Sequence, residues 1–335
     1  MKITVIQESV HMPDLTAEEV SSHWAALRGI DGVSEVVIKR PEGYPATEEL
    51  HELIGDADAV FGVWISDSCV NETFLSRHPN LKYIATLGHG WGKFDVDMTR
   101  AKGITITNTI YGSHTIAEYA WALLMEVTHR VSLHSDFIKR TDWTNVTREE
   151  SFSKLFAPQV ELYGLTAGVV GLGSIGYEFA KMARGFGMNV VSHSRHKKEG
   201  AEYDFIEQTT LDDLLARSDV ISLHAPYSDS SSNLISREAI AKMKDGAILI
   251  NTARGGLVDE TALYDALASG KLFGAGLDVL REEPPKGDNP LFSLDNAVIT
   301  GHIAWLTKAS RLRACDLAVE NFKAYLAGKP VCVIN

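Results

Sequence analysis

The chain has 335 residues, of which 45% are hydrophobic and 23% charged, and it carries a formal net charge of −12. The length allows two domains, and the negative charge argues against a binding surface for nucleic acid or for anionic membranes. The three cysteines, Cys69, Cys315 and Cys332, are far apart and lack metal-ligand spacing. They fit a reducing compartment, and we expect no bound metal.

The first residues, Met-Lys-Ile-Thr-Val-Ile, are typical of a buried strand and not of a signal peptide. No apolar run in the sequence reaches the about 18 residues that a membrane-spanning helix needs. We therefore expect a cytoplasmic protein without a membrane partner.

Short β-branched runs alternate with helical patterns, which is typical of parallel sheets covered by helices. In the first hundred residues, strands are expected at 3–6, 36–38, 59–63 and 83–87. Thr16 begins a capping-box pattern that predicts a helix to about residue 27.

A glycine-rich segment, residues 88–92, follows the fourth of these strands. Open α/β sheets bind ligands beyond the carboxyl ends of their strands, so this segment is a candidate substrate loop. A plain turn would also need the glycines, and on composition alone the two interpretations are equal.

A long helix is predicted over about residues 115–137, followed by an irregular segment to about residue 164. A second alternating series runs from residues 167–170 to residues 297–300. One more amphipathic helix, at about 310–327, ends the chain. The pattern contains no internal sequence repeat and predicts two successive α/β units.

A G-x-G-x-x-G motif follows the strand at 167–170 and opens a helix, and another strand follows at 189–192. In this context the motif predicts a dinucleotide site, with a nucleotide-free turn as the alternative. Gly171 permits the tight turn, Gly173 lets a pyrophosphate reach the backbone, and Gly176 lets helix and strand pack closely. Ser174 and Ile175 begin the helix, whose N-terminus faces the phosphates.

The position that selects between the nicotinamide cofactors lies about 20 residues beyond the glycine motif. NAD-binding sites carry an acidic residue there, whereas this chain has Ser194, followed by Arg-His-Lys-Lys at residues 195–198. No carboxylate would repel a 2′-phosphate, and the guanidinium of Arg195 suits phosphate oxygens. The sequence therefore favours NADP(H), with NAD(H) possible if the basic loop is only a solvated surface.

Three later segments each place a polar side chain just after a strand: Arg254 in N-T-A-R-G-G, Glu283 after G-A-G-L-D-V, and His302 in T-G-H-I-A-W. Taken singly, Arg254 is better interpreted as part of a surface ion pair, Glu283 as a solvated acid and His302 as a hydrogen-bonded loop histidine. Together they leave the carboxyl ends of strands in one nucleotide-binding sheet, where its ligands bind. They are therefore candidate catalytic residues.

These motifs, with Leu-His-Ala-Pro at residues 223–226 and the Glu-Pro pair at 283–284, resemble in order those of the D-isomer-specific 2-hydroxyacid dehydrogenase family. The resemblance covers nearly the whole chain. Within the family, Trp305 and the stretch Ala-Val-Glu-Asn at residues 318–321 are most similar to hydroxypyruvate reductases, also called glycerate dehydrogenases.

The resemblance implies an α/β fold with two Rossmann-like, doubly wound parallel-sheet domains separated by a cleft. A substrate domain would combine residues 1–108 and 303–335, and residues 109–302 would form the NAD(P)-binding domain. A homodimer joined through the NAD(P)-binding domains is also implied.

The implied reaction is the NAD(P)H-dependent reduction of a small 2-keto acid to the D-2-hydroxy acid, with hydroxypyruvate to D-glycerate the closest match. Glyoxylate reduction, or another D-2-hydroxyacid dehydrogenase activity, is the alternative. A corepressor that senses nucleotides is the rival from another class, and the intact catalytic set argues against it.

The resemblance also assigns roles to residues. Arg254 would bind the substrate carboxylate and polarise the keto oxygen, His302 would protonate that oxygen, and Glu283 would hold the imidazole and favour its charged form. The backbone amides of His89 and Gly90 would bind the carboxylate. Further contacts to the cofactor would come from His224, Pro226, Thr252, Ala253, Arg254, Asp278 and His302.

Three positions depart from the family's pattern. Gly92 and Lys93 replace an acidic residue and an asparagine in the substrate loop, which bears on substrate preference. Gly301 replaces the proline before the histidine, and Ser194 replaces the acidic residue at the ribose. Formate dehydrogenases share the fold but have glutamine where this chain has Glu283.

Overall fold

The computed structural model describes residues 1–7, 14–41, 43, 45–62, 65, 69–90, 94–140, 147, 149 and 158–335. The chain divides into two compact units, one of Met1–Gly112 with Leu306–Asn335 and the other of Ser113–Trp305. The boundaries expected from the sequence, at 108 and 302, lie a few residues earlier in the chain.

Helices and strands alternate through both units. The strands are β1 (Lys2–Ile6), β2 (Glu35–Lys39), β3 (Ala59–Phe61), β4 (Tyr83–Ala85), β5 (Thr105–Thr107), β6 (Thr166–Val170), β7 (Asn189–His193), β8 (Ile206–Gln208), β9 (Val220–Leu223), β10 (Ala247–Asn251), β11 (Leu272–Leu277) and β12 (Ala297–Ile299). The α-helices are α1 (Ala17–Trp24), α2 (Thr47–Ile54), α3 (Glu72–Arg77), α4 (Val96–Ala101), α5 (Ser113–His129), α6 (Val131–Arg140), α7 (Ser174–Gly185), α8 (Leu211–Arg217), α9 (Arg237–Lys242), α10 (Glu260–Ala268) and α11 (Lys308–Leu326).

The first unit contains a parallel sheet of five strands in the order β2-β1-β3-β4-β5. The inner strands are almost entirely buried because helices cover both sides of the sheet. On one face Trp24 of α1 and Phe322 of α11 each contact Phe61 of β3 edge to face, with ring centroids 5.9 and 5.5 Å apart. On the other face Ile54 of α2 and Phe74 of α3 belong to a second apolar cluster.

The capping box predicted at Thr16 is confirmed. Its hydroxyl accepts from the Glu19 amide at 3.1 Å, and its own amide donates to the Glu19 carboxylate at 2.9 Å. The α-helix that starts there ends at Trp24, and a 3-10 helix, Ala25–Gly29, continues it.

The second unit contains a parallel sheet of seven strands in the order β12-β11-β10-β9-β6-β7-β8. From β6 the chain first adds β7 and β8 on one side, and then crosses to β9 on the other. The carboxyl end of β6 therefore lies at a topological switch point, where sheets of this type bind ligands. Two apolar clusters, one on each face, cover this sheet. Two doubly wound parallel sheets, as predicted, are thus confirmed.

The single helix predicted over residues 115–137 is wrong. The structure has two helices, α5 and α6, because Arg130 between them takes a left-handed conformation with φ of 54°. Its guanidinium donates to the carbonyl of Asp295 at 2.7 Å and lies 5.6 Å from the ring centre of Phe273. These distant contacts stabilise a backbone conformation that apolar periodicity does not reveal.

The described ranges contain no helix that is both long and apolar enough to cross a bilayer. They also contain no group of three or more histidine, cysteine or acidic side chains placed to hold a metal ion.

Candidate active site

The three candidate catalytic residues follow neighbouring strands of the second unit. Asn251, the last residue of β10, pairs with Leu277 of β11, and Leu277 pairs with Ile299 of β12. Because the strands are parallel and in register, the loops that carry Arg254, Glu283 and His302 leave the same edge of the sheet. The sequence-based placement of these loops is therefore correct.

The Arg254 loop packs directly against the loop that leads to Glu283. An ideal Cβ on Gly255 would overlap the backbone carbonyl of Leu280, so only glycine allows this approach. Arg254 is exposed, and the Asn251 side chain fixes the backbone beside it. Its Oδ1 accepts from the Ala253 amide and its Nδ2 donates to the Arg254 carbonyl, both at 3.0 Å.

Glu283 and His302 form a hydrogen-bonded pair. The imidazole Nδ1 of His302 lies 2.7 Å from Oε2 of Glu283, and the other carboxylate oxygen accepts from the Leu280 amide at 2.8 Å. A carboxylate can only accept, so Nδ1 carries a proton and Nε2 is left for proton transfer. The side chains of His302 and Glu283 are 41% and 36% exposed, which makes both accessible from outside the fold.

The pKa of the Glu283 carboxyl is lowered from its ordinary value. Partial burial by itself would raise this pKa, but four favourable interactions of the ionised form outweigh the burial. These are the hydrogen bonds from His302 and from the Leu280 amide and the positive charges of His302 and Arg254. Glu283 therefore stays ionised beside the imidazole at neutral pH.

Asp278 determines the path of the histidine loop. His302 has φ of 58°, in the left-handed region, and its amide donates to the Asp278 carbonyl at 2.7 Å. The buried carboxylate of Asp278 accepts from the amides of Ile303 and Ala304 at 2.9 and 2.8 Å and from the Thr300 hydroxyl at 2.7 Å. These bonds hold the loop although glycine precedes the histidine. Contact of Asp278 with the cofactor stays a prediction.

The glycine motif has the shape that a dinucleotide needs. Gly171 has φ of 97°, and a Cβ there would lie 2.6 Å from the Ala225 amide nitrogen. A Cβ on Gly176 would overlap the Gly171 carbonyl, whereas the space beside Gly173 is open. Gly173 is also the N-cap of α7 and provides no side-chain cap, so the first amides of that helix remain available to phosphate.

A buried polar atom without a partner lies near this edge of the sheet. Thr252 follows β10, and within the described part of the chain its hydroxyl has no hydrogen bond. A buried hydroxyl without a partner is costly, and a bound polar ligand would satisfy it. Together with the open space at Gly173, this atom fits the nicotinamide cofactor that the motif predicts.

His224 lies in the loop that follows β9, and its contact with the cofactor stays a prediction. Its imidazole packs against Phe179, with ring centres 5.2 Å apart, and Nε2 lies 2.9 Å from the Ser222 hydroxyl. Burial lowers the pKa of His224 to about 3, so the ring is neutral. Its amide donates to the Val170 carbonyl at 2.7 Å, which holds this loop against the glycine motif.

The basic loop at residues 195–198 begins beside the glycine motif. The Ser194 hydroxyl accepts from the Leu172 amide at 2.6 Å. The side-chain amide of Gln208 both accepts from and donates to the backbone of Lys198, at 2.7 Å each way. Arg195 is exposed and, among the described residues, makes no ion pair. No sequence motif marks Gln208, because its partner lies ten residues away across a loop.

His89 and Gly90 belong to the first unit and follow β4. Leu87 has φ of 56°, and a Cβ on Gly88 would lie 2.6 Å from the Gly90 carbonyl oxygen, so the turn requires its glycine. The departures at Gly92 and Lys93 lie outside the described residues. The binding of a substrate carboxylate by the amides of His89 and Gly90 stays a prediction.

Residues 121–304 match the family model for the NAD binding domain of D-isomer specific 2-hydroxyacid dehydrogenases, which is more than half of the chain. The chain belongs to this family. Its members are oxidoreductases that use a nicotinamide cofactor, and the matched residues lie in the second unit. The family and the enzyme class predicted from the motifs are thus confirmed.

Full-length relatives agree with this assignment. The chain is 37% identical to a hydroxypyruvate reductase of Blautia hydrogenotrophica, over 92% of this chain and 94% of that protein. It is 33% identical to a glyoxylate reductase of Korarchaeum cryptofilum, over 92% of each chain. Among solved structures, a protein from Thermus thermophilus superposes with a TM-score of 0.82 at 34% identity, covering 99% of this chain and 100% of that one.

Proposed function

We propose that this dehydrogenase reduces hydroxypyruvate to D-glycerate with NADPH, with Arg254 as the substrate-binding cation and His302 as the proton donor. The observation that carries the proposal is the His302–Glu283 pair, with its 2.7 Å hydrogen bond, at the sheet edge from which the Arg254 loop also leaves. A hydroxypyruvate reductase among the relatives supports the choice of substrate.

The proposed chemistry follows from the charges at this edge. When bound, the cofactor supplies a hydride to the carbonyl carbon of the substrate. Negative charge then develops on the keto oxygen, and the guanidinium of Arg254 stabilises it. His302 donates its Nε2 proton to that oxygen, and ionised Glu283 stabilises the imidazolium before the transfer. In the reverse direction neutral His302 accepts the proton of the hydroxy acid.

A preference for NADPH over NADH by about tenfold or more in kcat/KM is expected, because hydrogen bonds to charged groups contribute roughly 1.5–3 kcal/mol. The double change Ser194→Asp with Arg195→Ala should invert it, since a carboxylate repels the 2′-phosphate and accepts from the ribose 2′-hydroxyl. Aspartate can also accept from the Leu172 amide as Ser194 does, so the glycine motif should keep its shape. Lys197→Ala, in the same exposed loop, is the control. Equal efficiency with both cofactors in the unmodified enzyme would contradict the proposal.

Among keto acids, hydroxypyruvate should be reduced more efficiently than pyruvate, by at least about tenfold. A pocket that hydrogen-bonds the substrate hydroxyl leaves polar groups unpaired when the hydroxyl is missing. The measurement is kcat/KM for hydroxypyruvate, glyoxylate, pyruvate, phenylpyruvate and oxaloacetate, followed by the loss of NADPH absorbance. Glyoxylate as the best substrate would favour the alternative activity. Phenylpyruvate or oxaloacetate as the best substrate would refute the choice of hydroxypyruvate.

A homodimer formed through the second unit and a cytoplasmic location complete the proposal. None of the residues of α6 is buried within the chain, and its Val131 and Leu133 are 62% and 49% exposed. We place the proposed contact between subunits at these exposed apolar side chains. None of the three cysteines is in a disulfide bond, which supports a reducing compartment.

A further inference from the structure

Both the backbone and the side chain of His89 accept hydrogen bonds from residues 108–112. We call these residues the connecting segment because the second unit begins at Ser113. The carbonyl of His89 accepts from the side-chain amide of Asn108 at 2.8 Å. The imidazole Nδ1 of His89 accepts from the backbone amide of Gly112 at 3.0 Å. A third bond joins the Thr109 amide to the Gly88 carbonyl at 3.0 Å.

The connecting segment is itself held in place by the end of the chain. The Asn321 side chain in α11 donates to the Asn108 carbonyl at 2.9 Å, and both asparagines are buried. Arg313 of the same helix donates to the Tyr111 carbonyl at 2.7 Å. The segment is thus a fixed support for the turn that contains His89, because the carbonyl and Nδ1 of His89 both accept hydrogen bonds from it.

The imidazole has a defined protonation pattern in this arrangement. A backbone amide can only donate, so Nδ1 of His89 is the unprotonated nitrogen and the proton of the neutral ring is on Nε2. Only a side chain with an acceptor at this position satisfies the Gly112 amide. The ring also packs edge to face on Tyr111, with centroids 5.9 Å apart, and this contact needs no acceptor.

We propose that the imidazole of His89 is a positioning residue: by accepting from the Gly112 amide, it fixes the turn whose His89 and Gly90 amides receive the substrate carboxylate. This inference rests on the proposed function. It assigns to the side chain a role separate from that of the backbone amides, and it explains why the turn holds one orientation despite its glycines on both sides.

Two substitutions separate the acceptor from the ring. His89→Phe keeps an aromatic ring against Tyr111 but has no acceptor. His89→Asn loses the ring, yet its Oδ1 occupies the place of Nδ1 on Cγ and can accept from Gly112. We expect His89→Phe to raise KM for the keto acid about tenfold, with a smaller change in kcat. His89→Asn should recover most of that loss, and the Kd of NADPH, titrated by fluorescence, should stay unchanged in both.

Amide hydrogen exchange at Gly112 provides a readout that does not depend on turnover. Protection should be high in the unmodified protein and in His89→Asn, and lower in His89→Phe, because only the phenylalanine variant leaves the amide without an acceptor. A normal KM in His89→Phe, or a His89→Asn variant as impaired as His89→Phe, would overturn the positioning role. Absence of keto-acid reduction by the unmodified protein would instead refute the proposed function, before any variant is compared.

Discussion

Arg254→Lys is expected to lower kcat/KM for keto-acid reduction about a hundredfold or more, by analogy with the loss of one donor to a developing oxyanion. A guanidinium presents two parallel donors to a carboxylate and can reach the keto oxygen from the same plane, whereas an ammonium is a single point of charge. The loop around Arg254 should survive the change. Asn251 holds its backbone, and Gly255 provides the close contact to Leu280.

Steady-state kinetics of Arg254→Lys and Arg254→Ala, with NADPH affinity measured separately, test this expectation. Arg281→Lys is a matched control, because Arg281 is an exposed arginine in the adjacent loop whose guanidinium donates to the carbonyl of Val258 at 3.0 Å. The control should keep nearly normal kcat/KM. Cofactor binding should be nearly unaffected in all three variants. Near-normal turnover by Arg254→Ala would show that this arginine is a surface residue with no part in catalysis.

The second large effect concerns the proton donor. His302→Ala should lose most activity at every pH, because the alkoxide then has no acid beside it; general acid catalysis contributes typically 10²–10⁴-fold. The unmodified enzyme should show opposite slopes in the two directions. Reduction needs protonated His302, so its kcat/KM falls as pH rises, and oxidation of the hydroxy acid needs the neutral imidazole, so its kcat/KM rises.

In Glu283→Gln, the fall of kcat/KM for reduction with rising pH should occur at lower pH. This variant should keep part of its activity in acid. Glutamine preserves the size and a hydrogen bond but removes the charge that stabilises the imidazolium. The lowered pKa of Glu283 keeps its carboxyl ionised as pH falls through neutrality, so its negative charge acts on the imidazole throughout the neutral range. Removing it should therefore matter most near neutral pH.

The deciding measurement is a pH profile of kcat/KM in both directions for the unmodified enzyme and the two variants. Glu282→Gln is a suitable control, since this neighbouring carboxylate is paired with Lys286 at 2.6 Å and not with the imidazole. If Glu283→Gln has the same pH dependence of reductive kcat/KM as the unmodified enzyme and His302→Ala is fully active, the proton comes from another group. The assignment of this active site would then be wrong.

The sequence by itself determined the features that depend on neighbours in the chain or on strand order. The capping box at Thr16 spans one helical turn, and the glycine motif spans six residues that run from the end of a strand into a helix. The alternation of strands and helices implied parallel sheets. Because parallel strands present their carboxyl ends at one edge, it also implied that Arg254, Glu283 and His302 leave the same edge.

Only the tertiary structure decided how individual side chains are used. Arg130 ends a helix through Asp295, which is 165 residues away, and His89 is held by Gly112, 23 residues away. The ring of His224 is hydrogen-bonded to Ser222, and the carboxylate of Asp278 accepts from two amides of the histidine loop. Such partners are brought together by packing of distant segments, and the orientation of a polar side chain follows from which donors and acceptors the packing leaves within reach. Local residue patterns contain no information about that choice.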